Sequence, residues 1–196
     1  AIFPIISAQG KVLGFGGRAL GDAQPKYLNT ADTPVFNKRQ GLYALNFAKK
    51  ERAAGRLVLV EGYMDAVSLR KHGVQGVVAT LGTALTEEQA RLMKRYASEV
   101  WISYDGDSAG QKAALRALDI LEPAGLKAHV IDYPEGMDPD DFIRARGKEG
   151  FEALKKYDAT EYRMLRARDG LELSTQDGMT QYVLRCCQIL RGVQSP

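Results

Sequence analysis

Three short apolar runs, each ending in a cluster of acids, constrain this chain more than any other feature. LVLVEGYMD ends in Glu61 and Asp65, VWISYDGDSAG carries Asp105 and Asp107, and HVIDYPEGMDPDD carries Asp138, Asp140 and Asp141. Each run has strand length and β-branched or aromatic content, and each leads through glycine into a helical pattern. That alternation predicts an α/β fold with a mostly parallel sheet flanked by helices. In such sheets ligands bind outside the carboxyl ends of the strands, so acids distant in sequence should converge on one edge. Converging carboxylates repel one another unless a cation neutralises them. An oxygen-only site of this kind suits Mg²⁺ or Mn²⁺.

The rest of the chain fits around this frame. Residues 2–7 and 12–16 read as strands joined by a turn over 8–11. GFGGRALG is not a P-loop, because GxxxxGK[ST] is lacking, and it reads as a bulged strand or turn. Arg18, Lys26, Lys38 and Arg39 follow at similar intervals, and PKYLNT sets Lys26 and Tyr27 beside Asn29. This is either a grip on the phosphate, base and sugar of a nucleotide or an exposed basic loop. The spacing predicts a helix over 40–53. Sheet strands are expected at 56–61, 76–80, 100–104 and 127–133. Helices are expected at 64–72, after the Thr86–Gln89 capping box, at 108–121 and briefly from 142. From 148 onward the pattern is helical and no further strand is expected.

Composition adds bounds. Hydrophobic residues at 45% and charged residues at 26% are ordinary for a globular protein. No apolar run reaches membrane length and no signal-peptide pattern is present, so a cytoplasmic, membrane-free protein is expected. Cys186 and Cys187 are adjacent and form no metal-binding or disulfide framework. The net charge of +3 hides an asymmetry. Residues 1–52 hold eight Lys/Arg against three Asp/Glu, whereas residues 100–147 hold five against nine. A basic front and an acidic later part fit a site that takes both a polyanion and cations. The chain opens at Ala1 inside an apolar run, and it reads as a piece of a longer protein.

The two acids of DGD can share one cation or bridge two, and Glu61 would be a further ligand or a general acid–base. Two divalent ions roughly 4 Å apart suit in-line attack at phosphorus. Nucleotidyl transfer, phosphodiester cleavage and phosphate hydrolysis all fit this arrangement.

EGYMD, YDGDSAGQKAALRAL and PEGMDPDD together resemble the Toprim domain, specifically that of bacterial DnaG-type primases. GFGGRALG, PKYLNT and FNKRQGLYAL resemble the part of the primase polymerase domain that precedes Toprim. The resemblance implies a Rossmann-like Toprim sheet with a small N-terminal β-containing subdomain and a C-terminal helical bundle. Its boundaries would be 1–54, 55–147 and 148–196. It implies metal-dependent synthesis of short RNA primers on single-stranded DNA from nucleoside triphosphates. Glu61, Asp65, Asp105, Asp107, Asp138 and Asp140 would line the Mg²⁺ or Mn²⁺ site, with Glu61, Asp105 and Asp107 catalytic. Arg18, Lys26, Tyr27, Asn29 and Lys38 would hold nucleotide or nucleic acid. Zinc is expected only in an amino-terminal module, and replicative-helicase binding only in a carboxy-terminal region, neither within this chain. Competing readings are a Toprim topoisomerase or nuclease, a non-catalytic nucleotide-binding Toprim module, and a phosphoacceptor receiver domain. The topoisomerase would need an attacking tyrosine in another domain, and the receiver would need a strand-end lysine.

Overall fold

The computed structural model describes residues 1–21, 24–51, 55–134 and 136–192, and it contains two sheets. The smaller is antiparallel, in the order β1 (Ile2–Ile6), β2 (Val12–Arg18), β3 (Tyr27–Asn29), with a register shift between Ile5 and Ile6. The glycine-rich GFGGR is therefore strand rather than phosphate loop. PKYLNT is not only loop, because its YLN forms the edge strand β3.

The larger sheet runs β5 (Val77–Ala79), β4 (Arg56–Val60), β6 (Glu99–Ile102), β7 (Lys127–Ile131), β8 (Lys156–Asp158). Its first four strands are parallel and β8 pairs antiparallel with β7. The helices are α1 (Leu45–Ala48), α2 (Tyr63–Lys71), α3 (Glu87–Lys94), α4 (Ser108–Leu121), α5 (Pro139–Ala153), α6 (Ala159–Ala167) and α7 (Gln176–Arg191). β4 shows why the sheet is a middle layer. Its side chains alternate between faces. Leu57 and Leu59 pack with Ala90, Met93 and Leu118 of α3 and α4. Val58 and Val60 pack with Leu69, Phe142 and Ile143 of α2 and α5. Burying each such side chain stabilises the fold by about 1.5–3 kcal/mol, so a strand apolar at every position can only be central.

Three expectations are corrected. The helix expected over 40–53 is a single turn, α1, and the Arg52 and Ala53 end of that stretch lies outside the described residues. Tyr43 exchanges backbone hydrogen bonds with Ala79 at 2.9 and 3.2 Å, and Ala44 takes a left-handed φ of 63°. Both break helical continuity before Leu45. The short helix expected from 142 begins at Pro139 and reaches Ala153, with a break at Gly147 (φ 65°), a backbone state open to glycine. Finally, a strand does follow residue 148. β8 is three residues long, too short to show alternation. Its Lys156 ammonium lies 4.7 Å from the Trp101 ring, which the Arg56 guanidinium covers at 3.7 Å.

α6 seats Ala159 and Tyr162 in the core beside β7, and α7 packs on α6. Among the described residues no helix is long and apolar enough to cross a membrane.

Candidate active site

The loops that follow β4, β6 and β7 carry the three acid clusters to one end of the sheet. Glu61 directly follows β4, and its Oε1 is buried without a hydrogen-bond partner. Burial pushes its carboxyl above the ordinary range, and the nearby Asp105 and Asp107 push it further. Asp65 lies in the first turn of α2, where its Oδ2 accepts from the Gly62 N–H at 3.1 Å. Burial first, then Asp105 and Asp138, push Asp65 up to about 7. Asp105 is half-buried and is raised by burial, then by Asp138 and Asp107. Repulsion that links acids from three separate loops is the electrostatic sign of one shared site.

Gly106 brings the second and third clusters together. Its N–H donates to the Met137 carbonyl at 3.0 Å, and a Cβ there would stand 2.8 Å from the Pro134 carbonyl. The residue between the two aspartates must therefore lack a side chain.

The remaining acids have protein partners. Asp107 caps α4, accepting from the Gly110 N–H at 2.7 Å, and Asp138 caps α5, accepting from the Asp141 N–H at 2.7 Å. Asp140 pairs with Arg144 at 2.7 Å. Among the described residues no three carboxylates stand grouped at ligand spacing. The donor set still fits a hard divalent cation: all ligands are oxygen, one carboxylate oxygen is buried and unpaired, and three carboxyls are held against their neighbours' charge.

The expected nucleotide-binding residues divide. The Arg18 guanidinium lies 5.5 Å from the centre of the Tyr27 ring, and Tyr27 and Lys26 are exposed on the edge of the small sheet. Lys38 is fixed through its backbone. Its N–H donates to Asp32 Oδ1 at 3.1 Å, and its carbonyl accepts from Gln89 Nε2 at 3.1 Å. Asn29 is committed to the protein: its Nδ2 donates to the Leu81 carbonyl at 3.1 Å, and its Oδ1 accepts from the Tyr63 hydroxyl. Both ends of its amide are thus spent tying β3 to the larger sheet.

Sequence reasoning missed Tyr63, Gln89 and Thr83. Tyr63 stacks on Phe3, meets Tyr43 edge-on and fills the space above Gly16, where a Cβ would come within 2.6 Å of its ring. Its place between Glu61 and Asp65 was the available signal. Gln89 is fully buried, and its sequence position signals only a helix cap. Thr83 has a buried hydroxyl without a partner, for which the sequence offers no signal.

A parallel sheet with strained acids at its carboxyl edge, joined to a β-subdomain bearing exposed cations, defines a Toprim-type scaffold. Residues 58–143 match the family described as Toprim-like, and residues 1–49 match the N-terminal domain of the DNA primase catalytic core. A DNA primase of Clostridium acetobutylicum is 48% identical over 191 residues, covering 96% of this chain and 32% of that protein. The structure of a DnaG primase catalytic domain bound to single-stranded DNA superposes with a TM-score of 0.83 at 38% identity, covering 98% of this chain and 64% of that one. The RNA polymerase domain of Mycobacterium tuberculosis primase DnaG, in complex with double-stranded DNA, gives 0.86 at 30% identity, covering 100% and 65%. The chain belongs to the DnaG-type primase family. It spans about a third of the length of the curated relatives it matches. The topoisomerase, nuclease and receiver readings are set aside by the match of the front segment to the primase core.

Proposed function

We propose that this chain is the central part of a primase catalytic core, which joins ribonucleotides into short RNA primers on a single-stranded DNA template in the cytoplasm. The observation that carries the reading is the crowding of acids on one sheet edge, where Asp105 repels both Glu61 and Asp65 and where Glu61 Oε1 is buried and unpaired. Glu61, Asp105 and Asp107 would be the catalytic acids, and with Asp65, Asp138 and Asp140 they would hold Mg²⁺ or Mn²⁺. Such ions supply charge neutralisation at phosphorus and lower the pKa of the attacking hydroxyl. Glu61, whose carboxyl is made more basic by burial and by Asp105 and Asp107, would be the acid that takes a proton. Arg18, Lys26 and Lys38 would hold phosphates, and Tyr27 would offer a face for a base. Asn29 would act indirectly, by fixing β3. The DNA-bound relatives support the nucleic-acid half of this reading. Zinc and helicase contacts would belong to other parts of the parent protein.

The test is primer synthesis by the full-length parent on single-stranded DNA. Asp105→Ala and Asp107→Ala should each lower the rate by roughly a hundred-fold or more, the scale expected for removing a preorganised electrostatic group. Activity within a few-fold of the native enzyme would remove the catalytic assignment.

A further inference from the structure

The turn from Asn37 to Gly41 carries Lys38 and Arg39, and no helix or strand ladder holds it. Arg39 and Gln40 are exposed, so water could satisfy the carbonyls of such a turn. Side chains of α3 and its cap satisfy them instead. Gln89 Nε2 donates to the Lys38 carbonyl at 3.1 Å and to the Gly41 carbonyl at 2.8 Å, and the Thr86 hydroxyl donates to the Arg39 carbonyl at 2.6 Å. The N–H groups of Lys38 and Arg39 donate to Asp32 Oδ1 at 3.1 Å and Asn37 Oδ1 at 2.9 Å. The backbone on both sides of each cation is thus fixed.

Gln89 is wholly buried, an uncommon place for a residue type found mostly at the surface. A methionine of similar volume would fill the same space without removing an amide from water. Packing alone therefore does not account for a glutamine here. A fully satisfied buried polar network does what packing does not, because it selects one backbone arrangement. The base is rigid: Ala90 and Met93 of α3 are buried in the core with Leu57 and Leu59 of β4. The loop between β5 and α3 also runs beside the acids. At its start the Thr80 hydroxyl donates to the Glu61 carbonyl at 3.3 Å, and Leu81 comes within 3.7 Å of where a Cβ on Gly41 would stand. At its end stands Thr86, which holds Arg39.

We propose that Thr86 and Gln89 are positioning residues, which hold the turn over 37–41 in the one shape that keeps Lys38 in a fixed place relative to the acidic edge. They touch no substrate and act only through the turn. Lysine is long and flexible, so a fixed backbone beneath it leaves less to be ordered when a triphosphate binds. The proposal rests on the reading of Lys38 as a phosphate contact.

Calorimetric titration of the full-length parent with ATP in Mg²⁺ tests it, at a temperature where circular dichroism shows each variant folded. Gln89→Met and Thr86→Val should each weaken ATP binding about three- to ten-fold, the scale of a lost hydrogen bond. Thr86→Ser should keep native affinity. Gln89→Met added to Lys38→Ala should weaken binding no further, because the glutamine acts through the lysine. A merely structural role would lower the thermal midpoint and leave ATP affinity native, or lower affinity equally with and without Lys38, and either result overturns the proposal. If Gln89→Met does not fold, the Thr86 variants, alone and with Lys38→Ala, decide in the same way. Native affinity in Lys38→Ala would overturn the phosphate role of Lys38 and the clamp with it, whereas a loss in Lys38→Ala with none in Gln89→Met or Thr86→Val overturns the clamp alone.

Discussion

Charge that the protein leaves uncompensated is concentrated in Glu61, Asp65 and Asp105. Asp107 and Asp138 are turned into helix caps and Asp140 into an ion pair, so their presence at the sheet edge adds less strain. Asp65 makes the cost measurable. Its carboxyl is pushed from 3.8 up to about 7, by burial first and then by Asp105 and Asp138. A raised pKa means that the folded state resists ionisation, so this contribution to stability is complete below the unfolded value and is lost as pH rises through about 7. In EDTA, the thermal midpoint should therefore fall between pH 5 and pH 8. Asp65→Asn, neutral throughout, should reduce that fall, by at most on the order of 3 kcal/mol. Mg²⁺ or Mn²⁺ should restore the native midpoint at pH 8. A midpoint that does not respond to this substitution would contradict the assignment. That the six acids gather at one edge of the sheet was legible in the sequence, because each cluster follows an apolar run that reads as a parallel strand. Which of them would be strained was not, since that depends on how deeply each loop buries its carboxyl and how near it brings the others.

Elements were legible where local pattern and tertiary demand agree. α4 matches its expected bounds, 108–121, although the packing face is Ala114, Ala117, Leu118 and Leu121 rather than the stripe through Ala109, Ala113, Ala117 and Leu121 that the spacing suggests. The expected helix at 40–53 fails because a long-range bridge between Tyr43 and Ala79 outweighs helical propensity. The α3 capping box was read correctly, but not its reach across 48 residues. Gln89 Nε2 donates to the carbonyls of Lys38 and Gly41, its Oε1 accepts from the Thr86 N–H, and the Thr86 hydroxyl donates to the Arg39 carbonyl at 2.6 Å. One buried amide thus clamps the segment carrying Lys38 and Arg39 onto the larger sheet domain. Gln89→Leu leaves two carbonyls and an N–H without it, and should destabilise the protein by about 2–3 kcal/mol in urea unfolding. Packing between the two sheets has a similar single point. Gly16→Ala would drive a methyl group into Tyr63, which Phe3 and Tyr43 hold in place. The expected loss is about 1–3 kcal/mol by the same measurement; an unchanged midpoint would show that Tyr63 can yield.

At the scale of the whole molecule, the larger sheet does not end where its acidic edge ends. β8 covers the edge of β7, and Phe151 and Tyr162 are buried in its two flanking layers. We propose the functional boundaries 1–54, 55–147 and 148–196 as divisions of role, with the sheet's packing continuing past the second boundary. A chain ended at residue 147 should lose cooperative unfolding and expose an aggregating edge, whereas one ended at residue 170 should stay monomeric in light scattering. A monomeric, cooperative 1–147 fragment would refute this. The Tyr63 contact also links the two halves mechanically. Tyr63 lies two residues from Glu61 and two from Asp65, and its hydroxyl ends on Asn29, two residues from Tyr27. A single phenol ring therefore acts as a gauge block: its length spans the gap between the strand that carries Tyr27 and the loop that presents acids.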